Sequence, residues 1–356
     1  MKITITTILF LVCISSVKSQ NLAVIADSIR KAYRIPEIGY AIVSSDSIYE
    51  VRTLGYKRHN SSIAAEPGDK FHIGSLTKGV TSFIAARLVK KNRIKWNKKF
   101  FDLYPQLKAE SNKAYYNITL QELLSFRTQL PAYTITDSFP PEAIFKGSNQ
   151  IQRLQFAKTF LKREPVQKQA EPSFCNAGYI AAALMLEKAS DQTWEQLVYA
   201  VGKESNIHFS FGYPNEADSL QPWGHGEDLI PIPPRKDYRL TLLSAAGGIN
   251  MTVNDYAKFV QVQLRGLRGK SSLLTASEFE FMHFGAKKFA LGWYWQVNER
   301  NHKVSFHTGT AGSFTNVGFL NKQNNTGIVV FSNHKPSTFF EYVYVLKEFI
   351  EKKYGG

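Results

Sequence analysis

The chain has 356 residues and an ordinary globular composition, so it is long enough for one large domain or two modest ones with a buried core. Its formal net charge is +15, and the basic residues are spread along the sequence rather than gathered in an arginine-rich tract. Zinc-ligand spacing and an RNA-binding signature are also absent from the sequence, so nucleic acid is not an expected partner, whereas anionic surfaces are.

The N-terminal residues have the pattern of a secretory signal peptide. A basic start is followed by an apolar run over residues 3–12, and a small-residue site predicts cleavage after Ser19, which makes residues 1–19 the predicted signal peptide. The run is too short to span a bilayer as a stable helix. We therefore expect an exported protein, periplasmic or extracellular. Cys13 raises a lipoprotein as the alternative, which ranks lower because residues 10–12 lack the small side chains of lipidation signals.

Cleavage would leave Cys175 as the one cysteine, so the mature chain is expected to form no internal disulfide even in an oxidising compartment. Loss of Lys2 and Lys18 with the signal peptide lowers the formal charge from +15 to +13. For an exported protein, this charge makes wall polymers or membrane headgroups possible anionic partners. Plain solubility is the alternative explanation.

The first half of the mature sequence is predicted to contain a hairpin and several helices. A Ser-Asp turn joins the two apolar runs of the hairpin. The predicted elements are a helix over 24–32, strands over 38–43 and 48–54, a helix from Ser75 to Val89, and a helix at 120–124 that ends by Pro131. Residues 134–169 are polar and contain Pro140-Pro141 and helical patches, and no bounds are assigned to elements there.

The second half ends in strands. A helix over 176–188, with Asn176 as a possible N-cap, precedes a loop-rich stretch. The later predicted elements are a helix over 254–267, strands over 290–297, 303–307, 316–320 and 327–332, and a helix over 337–352.

Strands at both ends with helices between them predict an α+β fold. One antiparallel sheet would be built from the N- and C-terminal segments and flanked by helices, with an inserted all-α lobe. We assign residues 20–77 and 240–356 to the α/β lobe and residues 78–239 to the helical lobe. A cleft is expected where the lobes meet, and Ser75 lies at that junction.

Ser75 is the candidate nucleophile of the sequence. It precedes a predicted helix with one apolar stripe (Val80, Phe83, Ile84, Leu88), and Lys78 comes round beside it one turn later. A lysine held partly neutral can take the proton of a serine. The Ser-x-x-Lys pattern alone is weak evidence, because Ser28 and Ser332 begin further copies of it. A helix-capping serine followed by a solvated lysine is the alternative for an isolated copy.

Three motifs in order make the sequence resemble the penicillin-recognising serine hydrolases, which are serine β-lactamases, D-alanyl carboxypeptidases and related esterases. Residues 74–78 (GSLTK) resemble the first motif, and residues 174–179 (FCNAGY) resemble the second, usually Tyr-Ser-Asn-Ala-Gly-Tyr. Residues 307–309 (HTG) fall where Lys-Thr-Gly is expected. Residues 123–131 and 244–248 (SAAGG) also resemble connecting segments of this family.

The resemblance implies acyl transfer to Ser75 from an ester, amide or β-lactam, including peptidoglycan-derived substrates, with no metal or organic cofactor. Lys78 would take or relay the serine proton, and Asn176 would hydrogen-bond both Lys78 and the substrate. The N–H groups of Ser75 and Thr310 would form the oxyanion hole. His307, Thr308 and Gly309 would line the substrate strand, with Gly309 allowing close approach.

Phe174 stands where the family usually has a tyrosine whose hydroxyl shares the acid and base work. A positioned acid or base contributes about 10²–10⁴-fold, so its loss predicts a slow enzyme or one in which Tyr133 or Tyr179 takes over. The alternative is a catalytically impaired protein that keeps the pocket for binding a ligand or the cell wall. A third hypothesis is an esterase that acts on D-alanyl groups of wall polymers, suggested by the basic charge.

His307 replaces the lysine of the third motif, and a histidine near neutral pH is only partly charged. Esterase-like members of the family often carry this residue, which favours ester or amide hydrolysis over β-lactam substrates. A structural strand histidine is the alternative. His72, His225 and His283 show no metal-ligand spacing and are expected to be structural or to line the cleft. In the Trp293-Tyr294-Trp295 run, strand alternation predicts that Tyr294 points away from the core.

Overall fold

A computed structural model describes residues 21–134, 144–167, 171–233 and 241–354. The predicted signal peptide and the Pro140-Pro141 segment lie outside these residues. Within the described part of the chain, no helix is both long and apolar enough to cross a membrane.

The main sheet has six strands and joins the two ends of the chain. Its order is β2-β1-β9-β8-β7-β6, and each neighbouring pair is antiparallel. The strands are β1 (Glu37–Val43), β2 (Ile48–Gly55), β6 (Tyr294–Val297), β7 (Lys303–Ala311), β8 (Phe314–Asn321) and β9 (Thr326–Ser332). The predicted hairpin is β1–β2, and its turn closes through Ser44, whose N–H donates to the Ser47 carbonyl at 2.7 Å.

Strand alternation divides the sheet into two buried faces. Tyr40 and Ile42 of β1 pack in one apolar cluster with α1 (Leu22–Ala32) and the C-terminal helix (Phe339–Tyr354). Ala41 and Val43 pack in the larger cluster on the other face, which contains the helix Val253–Leu267 and the helical part of the chain. Because both faces are covered by helices, every residue of β1, β8 and β9 is buried.

Further helices lie between the strands of the two termini. They are α2 (Thr77–Lys90), α3 (Phe100–Leu103), α4 (Leu120–Leu124), α5 (Asn149–Phe160), α6 (Asn176–Ser190), α7 (Trp194–Ser205), α8 (Pro214–Ala217), α9 (Ser244–Gly247), α10 (Val253–Leu267) and α11 (Ala276–Phe284), with α12 (Phe339–Tyr354) closing the chain. The sequence predicts one apolar stripe on α2, but every residue from Thr77 to Leu88 is buried. This helix therefore forms the centre of the molecule.

Three short strands form a second sheet that the sequence did not predict. Its order is β3-β5-β4, from β3 (Lys70–His72), β4 (Ser210–Phe211) and β5 (Ile249–Thr252). β4 lies within the segment assigned to the helical lobe. Strands of two to four residues carry too little alternation to be recognised in a sequence.

Several predicted boundaries differ from the structure for local reasons. The helix predicted at 120–124 is an exception, since α4 spans Leu120–Leu124 and a Thr119/Glu122 capping box fixes its start. The strand predicted from Ala290 begins only at Tyr294. α5 occupies part of the stretch in which no element bounds were assigned. Its apolar residues do not make a clean helical stripe, since buried Arg153 interrupts them.

Candidate active site

Ser75 lies in a tight turn that connects β3 to α2. The sequence placed it at the first position of the helix, but residues Gly74–Leu76 form a 3₁₀ turn and α2 begins at Thr77. Gly74 adopts a left-handed backbone with φ of 52°, and its N–H donates to Nδ1 of the buried His72 at 3.1 Å. His72 therefore holds the turn that presents the nucleophile, a role the sequence left open.

Lys78 contacts Ser75 directly. Its Nζ donates to Ser75 Oγ at 2.8 Å and to the backbone carbonyl of Ala246, in α9, at 2.7 Å. The side chain is fully buried, and this burial lowers the pKa of Lys78 to about 7, an effect only partly opposed by Cys175. A large fraction of the amine is thus neutral near pH 7 and able to accept the hydroxyl proton of Ser75.

The second motif lies beside Lys78 at the start of α6. The Phe174 ring, 37% exposed, has the Nζ of Lys78 over its face at 5.3 Å from the ring centroid. The sequence suggested that Asn176 caps α6, but the N-cap is Cys175, and Asn176 is the first helical residue.

The expected hydrogen bond between Asn176 and Lys78 is also absent. Both residues are described, and no hydrogen bond joins them, while the Asn176 Oδ1 is buried without a partner among the described residues. Ala246 takes the place expected for Asn176, because its carbonyl is the second acceptor of Lys78. Asn176 still lines the cavity in front of Ser75 and is placed to contact a substrate.

The third motif packs against the Ser75 turn through glycine. A Cβ built on Gly309 would lie 1.9 Å from the Ile73 carbonyl oxygen and 2.9 Å from the Ser75 nitrogen. A Cβ on Gly74 would lie 2.6 Å from the Thr310 nitrogen. The backbones that carry the two expected oxyanion donors, Ser75 and Thr310, are therefore in close contact, and side chains at either glycine would force them apart.

Beyond Phe306, the edge of β7 that faces β6 earlier in the strand borders the cavity. β6 pairs with β7 only up to Phe306, whereas residues 307–311 pair with β8 alone in the described part of the chain. Their other edge is left for a ligand, which could pair with the strand or present a carbonyl to it.

His307 is neutral in this site. Burial lowers the pKa of His307 to about 3, with a smaller contribution from the charge of Lys78, so the expected partial positive charge is wrong. Its Nδ1 lies 2.6 Å from the Thr308 carbonyl, and since a carbonyl can only accept, Nδ1 carries the proton. The Nε2 lone pair then has no partner among the described residues.

The cavity at Ser75 has a volume of about 300 Å³. Its described lining contains no Asp, Glu, Lys or Arg. The lining residues are Gly74, Ser75, Thr134, Phe174, Asn176, Leu243, Ala246, Gly247, Tyr294, His307, Thr308, Thr310 and Ala311. Gly309 is not among them, which fits its role as a contact between backbones.

The sequence does not predict the role of Ala246, because a backbone carbonyl leaves no side-chain signal, although residues 244–248 resemble a connecting segment of the family. Tyr294 was predicted to point away from the core, and it lines the cavity with its ring centroid 5.4 Å from that of His307. Burial raises the pKa of Tyr294, so its phenol stays protonated at neutral pH.

Neither tyrosine proposed as a substitute for the missing hydroxyl is placed for that role. The Tyr179 hydroxyl donates to the Leu124 carbonyl at 2.7 Å, and burial raises its pKa. The Tyr133 ring packs against Phe156 and Phe160 and does not line the cavity. The missing hydroxyl is therefore not replaced by either of these side chains.

His225 and His283, the other two histidines considered as structural or cleft-lining, have structural partners. His225 Nδ1 contacts the Asn333 carbonyl at 2.9 Å, and its Nε2 accepts from the His59 N–H at 3.0 Å. His283 lies between Ser305 and Gln263. Over residues 21–134, 144–167, 171–233 and 241–354, no three His, Cys, Asp or Glu side chains are grouped closely enough to hold a metal.

Comparison with known proteins supports the resemblance along almost the whole chain. The sequence model of the Beta-lactamase family matches residues 22–347. Protein flp from Staphylococcus aureus strain MW2 is 23% identical over 307 residues, covering 84% of this chain and 60% of that protein. The same protein from strain MRSA252 is 22% identical over the same length. The chain thus spans about 60% of the length of these curated relatives.

Solved structures share the fold at low sequence identity. An octameric penicillin-binding protein homologue from Pyrococcus abyssi has a TM-score of 0.74 at 18% identity, covering 94% of this chain and 78% of that one. A class C beta lactamase from Rhodobacter sphaeroides has a TM-score of 0.73 at 15% identity, covering 93% and 99%. The predicted α+β fold and the resemblance to penicillin-recognising serine hydrolases are confirmed. With the family match extending over nearly all described residues, the chain belongs to the Beta-lactamase family.

Proposed function

We propose that this protein is a serine hydrolase that forms an acyl-enzyme on Ser75. The observation that carries the proposal is the 2.8 Å hydrogen bond from a buried Lys78, whose pKa burial lowers to about 7, to the Ser75 hydroxyl. A serine becomes a useful nucleophile when an adjacent base can take its proton, and this lysine is both adjacent and substantially neutral. No such pairing exists at Ser28, which lies exposed on α1 and donates to the Val24 carbonyl.

The proposed reaction has two stages. Ser75 Oγ attacks the substrate carbonyl while its proton passes to Lys78, and the negative oxygen of the tetrahedral intermediate is stabilised by the N–H groups of Ser75 and Thr310. Each such donor is worth roughly 3 kcal/mol. The intermediate expels the leaving group, which takes up a proton, and water then hydrolyses the acyl-enzyme to restore the Ser75 hydroxyl.

The charge of the site favours an uncharged acyl donor, an ester or amide, over a substrate that needs its carboxylate bound. The described cavity lining carries no cation, and His307 presents a neutral imidazole where the family motif has a lysine. A β-lactam or a D-alanyl peptide would place a carboxylate near this end of the site. An ester on a wall polymer fits the basic net charge of the chain, and export to the periplasm or beyond would bring the enzyme to it.

The test is intact-mass spectrometry after incubation with a fluorophosphonate, an activated neutral ester and a penicillin. We expect a fluorophosphonate adduct on the wild-type protein and on Ser28→Ala, and none on Ser75→Ala. Ser28→Ala is the matched control because it removes the serine of another Ser-x-x-Lys sequence. Accumulation of an acyl-enzyme with the ester, and little of it with penicillin, would support the preference for uncharged acyl donors.

A folded wild-type protein with no adduct from any probe would contradict the proposal. It would favour the second candidate, a binding protein on the same scaffold, for which Phe174 in place of the motif tyrosine is the specific observation. That candidate predicts that ligand binding survives Ser75→Ala.

A further inference from the structure

Two aromatic ring faces lie next to Lys78 and have no role in the reaction proposed above. The Nζ atom lies over the Phe174 ring at 5.3 Å from its centroid and over the Tyr179 ring at 5.4 Å. Both distances are within the range of about 6 Å over which a ring face attracts a cation. The ammonium therefore has Ser75 Oγ and the Ala246 carbonyl as hydrogen-bond acceptors and two ring faces as further electrostatic partners.

We propose that Phe174 compensates for the missing tyrosine hydroxyl by stabilising the ammonium of Lys78. This lysine alone then accepts the proton of Ser75 and passes it to the leaving group. This inference rests on the proposed acyl-enzyme mechanism and assigns a role to the residue that departs from the motif. Phe174 carries no exchangeable proton, so its contribution must come from the negative face of its ring.

The proton balance requires no other side chain. In acylation the Ser75 proton moves to the neutral amine of Lys78, and the resulting ammonium protonates the leaving alkoxide or amine as the carbon–heteroatom bond breaks. In deacylation the amine takes a proton from the attacking water and gives it back to Ser75 Oγ when the acyl bond breaks. The ammonium exists twice in each cycle, and each time it lies between the two rings and Ala246.

The neighbouring titratable groups cannot take this role. The Cys175 thiol lies close enough to influence the pKa of Lys78 but donates to the Pro131 carbonyl at 3.0 Å. The imidazole of His307 is a weak base because burial lowers its pKa to about 3, and the phenols of Tyr179 and Tyr294 stay protonated because burial raises their pKa values. Burial alone would destabilise the ammonium, so the ring faces act against the effect that brings the pKa of Lys78 down to about 7.

The test compares Phe174→Leu, which keeps an apolar side chain without a ring, with Phe174→Tyr, which keeps the ring. Phe340→Leu is the matched control, because Phe340 is a half-exposed aromatic residue on α12, outside the site. The pKa of Lys78 is read from its side-chain NMR signal, assigned by its loss in Lys78→Arg, and the labelling rate of Ser75 is measured with a fluorophosphonate.

We expect Phe174→Leu to lower the pKa of Lys78 by about half a unit or more and to slow labelling above that pKa roughly 3–10-fold. Phe340→Leu is expected to keep the wild-type pKa of Lys78. Phe174→Tyr is expected to keep this pKa or to raise it. An unchanged or raised pKa in Phe174→Leu would overturn the inference, a rise meaning that the ring acts only by excluding water. Because the NMR titration does not need turnover, failure of the inference is distinct from failure of Ser75 to react.

Discussion

The two walls of the cavity are built by different means. On the sheet side, the Ser75 turn and β7 meet through backbone atoms, and Gly74 and Gly309 are the residues that permit the contact. On the helical side, the site depends on side chains at the start of α6, where Phe174 and Asn176 depart from the expected arrangement. The nucleophile and the proposed oxyanion donors thus belong to the wall whose backbone contacts fit the expected site, although His307 replaces the motif lysine there. The surroundings of Lys78 belong to the wall where side chains depart from the expected arrangement.

The two walls should tolerate substitution to different degrees. Backbone donors need a fixed separation, so a substitution that moves β7 relative to the Ser75 turn disturbs every step that develops charge on oxygen. The ammonium of Lys78 needs stabilisation but no single partner, and a carbonyl and two rings can supply it. We therefore expect large effects from substitutions on the sheet side and smaller ones on the helical side.

The largest effect is expected from Gly309→Ala. The added Cβ would collide with the Ile73 carbonyl and crowd the Ser75 nitrogen, so the oxyanion site would open. We expect the fluorophosphonate labelling rate of Ser75 to fall about 10²–10³-fold, the typical cost of an oxyanion donor. Gly68→Ala is the control, since a Cβ there meets nothing within 4 Å. Equal rates in the two variants would mean that the close contact has no catalytic role.

An intermediate effect is expected from His307→Lys, which changes the charge of the sheet side but not its backbone. An ammonium at this position should attract a carboxylate, so kcat/KM for a carboxylate-bearing ester should rise at least about tenfold relative to its uncharged analogue. The measurement is the ratio of the two values in the variant and in the wild-type protein. His307→Gln, which stays neutral, should keep the wild-type ratio. An unchanged ratio in the lysine variant would show that this position does not contact the substrate.

The smallest effect is expected from Asn176→Ala on the helical side. Because Asn176 makes no hydrogen bond to Lys78, its removal should leave the pH dependence of Ser75 labelling in place and reduce the rate less than about tenfold. Thr81→Val is the instructive comparison, since the Thr81 hydroxyl donates to the Ala245 carbonyl at 2.7 Å, next to the Ala246 carbonyl that binds Lys78. A larger shift of the pH profile in Asn176→Ala than in Thr81→Val would contradict this assignment.

The sequence predicted those parts of the fold that repeat a strong pattern. The β1–β2 hairpin, the last three strands of the sheet and the long helices α6 and α10 all lie within a few residues of their predicted bounds. Short strands of the second sheet were missed, because two to four residues cannot show alternation and are fixed by tertiary pairing.

In the site, residue identity predicted the neighbours of Ser75 better than it predicted their protonation. Ser75 and Lys78 are one helical turn apart, so their contact follows from spacing. The neutral state of His307 depends on burial by residues from β6, β7 and the chain before β6, which no local pattern encodes. The Ala246 carbonyl was equally hidden, because any residue type supplies one.

The pH dependence of fluorophosphonate labelling at Ser75 shows directly whether Lys78 activates the serine. If the neutral amine of Lys78 is the base, the rate rises as pH rises through the pKa of Lys78, because burial has lowered that pKa from the usual lysine value of 10.5 to about 7. We predict that the labelling rate reaches a plateau above about pH 8 and falls roughly tenfold per pH unit below about pH 6. This pH dependence should be lost in Lys78→Met. A labelling rate that keeps rising to about pH 10 in the wild-type protein would contradict the claim that Lys78 activates Ser75. An unchanged pH dependence in Lys78→Met would contradict it as well.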